Sequence, residues 1–232
     1  MKTIGMIGGM SWESSLEYYR IVNERVASRL GGVHSAKSLM ISVDFAEVET
    51  LQREGRWEEA TQMMVEAAQS LQLGGADFIV ICTNTMPKMA EDVAASVSIP
   101  LLHIADATAE QIVARGLKRI GLLGTRFTME EEFYKGRLEK KFALDVLTPE
   151  KADRDIVHRV IYEELVLGKI EPASKAEYLR IIKDLQARGA EGIILGCTEI
   201  GLLVKQADCN LPLFDTTLLH AEAAVEFALK AD

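Results

Sequence analysis

The feature that most constrains this chain is an internal repeat. Gly75-Ala76-Asp77-Phe78-Ile79-Val80-Ile81-Cys82-Thr83 is matched by Gly189-Ala190-Glu191-Gly192-Ile193-Ile194-Leu195-Gly196-Cys197, an offset of 189 − 75 = 114 residues. Ile4-Gly5-Met6-Ile7-Gly8 resembles Ile120-Gly121-Leu122-Leu123-Gly124 at an offset of 116, and Ile99-Pro100-Leu101-Leu102 resembles Leu211-Pro212-Leu213-Phe214 at 112. Apolar strands after Gly-Ala look alike in many α/β proteins, but three matches in one order, at about half of 232 residues, favour two related lobes. The predicted division is residues 1–98 plus 210–232 for the lobe that carries Thr83, and residues 99–209 for the lobe that carries Cys197.

Each lobe reads as alternating strand and helix. Thr3 to Ile7, Leu39 to Val43, Phe78 to Ile81, Ile120 to Leu123 and Ile193 to Leu195 are short apolar runs of the kind buried in parallel sheets. Glu58 to Leu73 and Ser174 to Arg188 carry apolar residues at three- and four-residue spacing and stop at Gly74 and Gly189. The expected fold class is therefore α/β: two pseudo-symmetric lobes, each a mainly parallel sheet flanked by helices, with the active site in the cleft between them. Ligands of open α/β sheets bind beyond the carboxyl ends of the strands. Those ends are Gly8 to Ser11, Thr83 to Thr85, Thr125 to Thr128 and Cys197 to Glu199.

Composition removes several alternatives. A formal charge of −9 without a cluster of Lys and Arg argues against nucleic acid as a partner. No apolar run approaches the ~20 residues of a membrane span. Met1 to Gly5 leads straight into an apolar strand without a signal-peptide pattern, so a cytoplasmic location is expected. Cys82, Cys197 and Cys209 are too few and too widely spaced for a disulfide scaffold or a metal site.

Two strand ends carry chemistry. Cys197 follows an apolar strand and precedes Thr198-Glu199, where a helix start would offer N–H groups that lower a thiol pKa from about 8.5. A buried core thiol is the equally weighted alternative. Thr83-Asn84-Thr85 supplies hydroxyls and an amide ahead of a predicted helix, suited both to capping and to cradling a carboxylate, and Pro87 is tolerated in its first turn. The repeat aligns Thr83, not Cys82, with Cys197, and strand alternation then turns Cys82 into the core. Gly5, Gly8 and Gly9 lack the spacing of a dinucleotide loop. His34, His103, His158 and His220 are scattered without metal-ligand spacing, and Arg53 and Arg56 suit either a substrate carboxylate or surface ion pairs.

Ile4-Gly5 through Gly8-Gly9-Met10-Ser11, Thr83-Asn84-Thr85 and Gly196-Cys197-Thr198-Glu199 resemble the aspartate/glutamate racemase superfamily over essentially the whole chain. Gly-Gly-Met-Ser-Trp and Cys82-Thr83-Asn84-Thr85-Met86 are similar to its enterobacterial branch of broad-specificity or L-aspartate/glutamate-specific amino-acid racemases. The resemblance implies an amino-acid substrate, racemisation with no cofactor, a homodimer, and two groups flanking Cα. In the family two cysteines fill that role; here they correspond to Thr83 and Cys197. The implied substrate-binding set is Met10, Ser11, Gln52, Thr83, Asn84, Thr85, Thr125, Thr198 and Glu199.

Three departures shape the expectation. Thr83 replaces a cysteine, leaving Cys197 as the strong base and implying an enzyme that turns L substrate into D and runs poorly in reverse. Gln52 and Val166 stand where acid-specific members have Arg and Lys, which opens the site to neutral amino acids unless Arg53, Arg56 or Lys169 compensates. Pro87 stands where many members have His. Hydantoin racemase or maleate isomerase chemistry, and a noncatalytic amino-acid-binding module, are the alternatives.

Overall fold

The computed structural model of the protein describes residues 1–230. The chain divides into two compact units, Met1–Ile104 with 220–230, and Ala105–Leu219. In the first unit, β1 (Ile4–Gly8), α1 (Trp12–Leu30), β2 (Ser38–Ser42), α2 (Phe45–Glu54), α3 (Trp57–Leu73), β3 (Phe78–Ile81), α4 (Ala90–Ala95) and β4 (Leu101–Leu102) form a four-stranded parallel sheet of order β2-β1-β3-β4 with its helices. The chain continues through α5 (Ile104–Ala114), β5 (Arg119–Gly124), α6 (Arg126–Glu130), α7 (Lys135–Phe142), β6 (Asp145–Leu147), α8 (Lys151–Glu163), α9 (Pro172–Ala187), β7 (Gly192–Gly196), α10 (Ile200–Leu203), β8 (Leu213–Asp215) and α11 (Thr216–Leu229). The second sheet is parallel too, of order β6-β5-β7-β8.

The two sheets repeat one topology, and the register follows the sequence repeat. In the first, Ile7 pairs with Ile81; in the second, Leu123 pairs with Leu195. Thr83 and Cys197 therefore stand two residues beyond equivalent central pairs. Gly75 and Gly189, also equivalent, both adopt positive φ (+94° and +98°) just after α3 and α9, where an L side chain would be strained.

The strands are buried on both faces because helices cover both: all residues of β1, β3 and β7 are buried. On the first sheet α3 packs Ala60, Met64, Ala67, Ala68 and Leu71 at helical spacing into a core with Ile7, Ile79 and Ile81. On the second unit α9 buries Tyr178, Ile181, Ile182 and Leu185. Each large side chain so buried contributes about 1.5–3 kcal/mol.

One expectation is corrected. The crossings between units fall at residues 104/105 and 219/220, not 98/99 and 209/210, because β4 pairs with β3 and β8 pairs with β7, which keeps each short strand with its own sheet until the following helix begins. A further strand, β6, is absent from the apolar runs read in the sequence. It is a short edge strand whose Asp145 bonds Arg119 of β5 over 2.5 Å, and its single buried residue, Val146, gives too little apolar pattern. Among the described residues, no helix is long and apolar enough to cross a membrane.

Candidate active site

In the first unit the loop after β1 is fixed by hydroxyls. Ser11 caps α1 by accepting from the Ser14 N–H over 3.3 Å, and Ser15 Oγ accepts from the Gly9 N–H over 2.8 Å while donating to the Ser11 carbonyl over 3.0 Å. Gly9 has φ +92°, and a Cβ there would run into the Val43 carbonyl oxygen, so no other residue fits. Ser14 Oγ then donates to the Cys82 carbonyl over 3.0 Å, which ties this loop to the end of β3. Sequence reasoning places Met10 and Ser11 here and misses the stitching by Ser14 and Ser15; the Ser-x-x-Ser-Ser spacing across the cap and first turn of α1 is the available signal.

Thr83, Asn84 and Thr85 are all buried, at 8%, 2% and 5% exposure. The Thr85 N–H reaches Thr83 Oγ1 only at 3.5 Å, a weak bond that leaves the Thr83 hydroxyl able to turn. The expected cap is corrected: Thr85 occupies the cap position of a 3₁₀ turn at Met86–Met89 but its side chain makes no capping bond there, since the turn is too tight and Pro87 has no N–H to offer. Gln52, buried on α2, donates to Met86 Sδ over 3.2 Å and so lies beside this turn. Cys82 is wholly buried, and burial pushes its thiol well above the ordinary range.

In the second unit Thr125 caps α6, with its Oγ1 3.3 Å from the Thr128 N–H and 3.0 Å from the Thr128 hydroxyl. Gly124 pairs with Gly196 in the sheet, so Thr125 and Cys197 leave adjacent strands at the same level. Cys197 Sγ donates to Glu199 Oε2 over 2.9 Å, and Thr198 Oγ1 donates to the same oxygen over 2.8 Å. The backbone N–H groups of Glu199 and Thr198 act on the sulfur in the opposite sense, favouring its anion.

The expected lowering of the Cys197 pKa is corrected here. The helix that follows, α10, is a single turn, while burial first and the Glu199 carboxylate second push the thiol well above its ordinary value, outweighing the two backbone donors. Both effects favour the thiol over the thiolate.

Arg53 is exposed and pairs with Glu49, and Arg56 pairs with Glu54 and Glu59. Val166 lies in a 3₁₀ turn at Leu165–Leu167 and Lys169 is exposed just beyond it. His220 accepts from Tyr18 over 2.8 Å and donates to the Leu102 carbonyl over 2.9 Å, a structural tie within the first unit. Among the described residues, no three His, Cys, Asp or Glu side chains are grouped to hold a metal ion.

With a thiol and a threonine at equivalent strand ends of two matching sheets, comparison with known proteins becomes decisive. The family model described as Asp/Glu/Hydantoin racemase matches residues 7–224. The chain belongs to the Asp/Glu/hydantoin racemase family. A crystal structure of an Asp/Glu racemase candidate from Yersinia pestis is 55% identical, with a TM-score of 0.93 over 99% of this chain and 100% of the other. That of an aspartate racemase homologue from Pyrococcus horikoshii OT3 is 35% identical, with a TM-score of 0.85 over the same shares. The broad specificity amino-acid racemase RacX of Bacillus subtilis is a more distant relative, 21% identical over 72% of each chain. This racemase-family chain thus has the two-sheet architecture of its relatives, and its membership supports amino-acid racemase activity.

Proposed function

We propose that this protein is a cofactor-independent amino-acid racemase in which Cys197 removes the Cα proton of the L enantiomer and Thr83 delivers a proton to the opposite face. The observation that carries the reading is the position of Cys197: a buried sulfur at the end of a central strand, hydrogen-bonded to a carboxylate, in the register that Thr83 occupies in the first sheet. A Cα–H is a very weak acid, so its base must be strong in its ionised form. A thiol whose pKa is raised by burial gives such a base once it ionises.

Each step balances. The Cys197 thiolate forms an S–H bond with the Cα proton, and the C–H electron pair stays on Cα, spread into the α-carboxylate. The Thr83 hydroxyl then gives its proton to Cα from the other face as it takes one from water, and the Cys197 thiol returns a proton to solvent. In the opposite direction Thr83 takes the Cα proton only as it passes its own to a hydroxide ion, which is scarce near neutral pH.

The directional expectation is sharpened by thermodynamics. Free enantiomers have equal energy, so kcat/KM is the same in both directions whatever the site contains. The asymmetry between Cys197 and Thr83 is expressed as a higher kcat with a proportionally higher KM for the L enantiomer. Gln52, neutral and bonded to Met86, supplies no charge for a distal carboxylate, which favours a substrate range that includes neutral amino acids.

In D₂O, without added cofactor, the protein should wash deuterium into Cα of L-amino acids as the D enantiomers form. Folded protein that exchanges no Cα proton across a panel of acidic and neutral amino acids would eliminate the reading.

A further inference from the structure

Cys197, Thr198 and Glu199 make a closed cluster inside the second unit, with exposures of 8%, 8% and 2%. It gives the sulfur two kinds of partner with opposite preferences. Glu199 Oε2, 2.9 Å away, accepts from S–H and repels a sulfur anion; the N–H groups of Thr198 and Glu199 favour the anion. The balance between them turns on where the carboxylate charge is directed. An ammonium group brought to Glu199 would form a charge-assisted bond stronger than the one from a thiol, and would cancel the repulsion that keeps sulfur protonated.

We propose that Glu199 is a positioning residue that locks Cys197 as an unreactive thiol in the empty site and releases it when the α-ammonium group of an amino-acid substrate takes over the carboxylate. The inference rests on the racemase reading for the identity of that ammonium; the thiol–carboxylate contact stands without it. On release the thiol proton passes to water and the S–H electron pair remains on sulfur, held by the two backbone N–H groups until it takes the Cα proton. Such a lock shields the thiol from alkylation and oxidation between turnovers. It also makes the amino group a condition for chemistry, so a carboxylic acid without one leaves Cys197 protonated.

The other ionisable groups around the cluster do not replace Glu199. Tyr178 of α9 donates its hydroxyl to the Val157 carbonyl over 3.0 Å, and burial pushes its phenol well above its ordinary value. Asp215 of β8 lies against Gly201 of α10 and accepts from the N–H groups of Thr217 and Leu218 over 3.0 and 3.1 Å.

The test follows thiolate absorbance at 240 nm in the full-length chain carrying Cys82→Ala and Cys209→Ala, with the same protein further changed by Cys197→Ser as the spectral blank. The ligand-free protein should titrate in the alkaline range, and Glu199→Gln should bring the midpoint down by about one pH unit or more. Glu199→Asp, whose shorter carboxylate stands farther from sulfur, should fall between and serves if the Glu199→Gln protein folds poorly. α-Methylglutamate, which has an ammonium but no Cα proton, should raise the thiolate signal near pH 8 when Glu199 is present and change it little in the Glu199→Gln protein, where no carboxylate charge is left to neutralise. Equal midpoints in all three proteins would assign the resistance of the thiol to burial alone and overturn the lock. A lowered midpoint together with no deuterium exchange into any amino acid would keep the lock and retire the racemase reading, so the two failures are separable.

Discussion

The two sheets are built alike up to their last residues and then part. In the second, Gly124 and Gly196 are paired so closely that a Cβ on Gly196 would meet the Leu123 carbonyl oxygen at 2.8 Å, and the thiol comes one residue later, at Cys197, where it bonds Glu199. In the first, the place equivalent to Gly196 is taken by Cys82, wholly buried, and the thiol position by Thr83. A shift of one residue in where the sulfur sits separates a thiol bonded to a carboxylate from one that burial alone keeps neutral. On the proposed reading, equivalence by register and not the presence of a cysteine identifies the chemical position.

The sharpest way to break the comparison is to remove each sulfur in turn. Cys197→Ala should lower Cα deuterium exchange by about a thousandfold or more, the scale of losing a positioned acid–base group. Cys82→Ala should leave exchange within a few-fold of the parent protein. The reverse pattern would show that register equivalence misassigns the base.

A smaller effect is expected from making the two ends alike. With Thr83→Cys the first sheet gains a side chain that ionises far more readily than an alcohol, so the kcat values for the L and D enantiomers should converge by about tenfold or more. Their kcat/KM ratio must stay at one throughout, which provides an internal check. If circular dichroism progress curves give unchanged kcat values from both enantiomers, the directional role of Thr83 is wrong.

Most of the fold is legible because parallel strands buried on both faces are continuous apolar runs, and because the repeat marks the same run twice. Leu101–Leu102 and Leu213–Asp215 carry too few residues to read as strands by pattern, although the repeat pairs their segments. Within the site, the equivalence of Thr83 and Cys197 comes directly from the alignment of the halves. The sense of the Cys197 pKa does not. Sequence places Glu199 two residues away, but whether its carboxylate turns toward the sulfur depends on the backbone of a turn that ends in a one-turn helix, and that cannot be counted from spacing. The Ser-x-x-Ser-Ser spacing marks Ser14 and Ser15 but not their partners, the Cys82 carbonyl and the Gly9 N–H, which are backbone groups.

The smallest expected effect isolates Cys82 through stability. Burial raises its pKa in the folded protein above the value of about 8.5 that a thiol has when unfolded. Below about pH 8.5 both states hold the proton and this group adds no pH dependence. Above it, the unfolded chain loses the proton while the folded one keeps it, so this contribution to stability falls by about 1.4 kcal/mol per pH unit until the folded pKa is reached. Cys197 adds a loss of the same sign, because burial and Glu199 raise its pKa as well. Urea unfolding of the parent and Cys82→Ala proteins between about pH 8 and 10.5 should therefore give curves whose difference changes with pH by about that slope, since every other titrating group is common to both. The lost sulfur volume adds only a pH-independent offset, of about 1 kcal/mol. Parallel curves would mean that Cys82 ionises as easily folded as unfolded, and the contrast between the core thiol of Cys82 and the carboxylate-bonded thiol of Cys197 would then lose its physical basis.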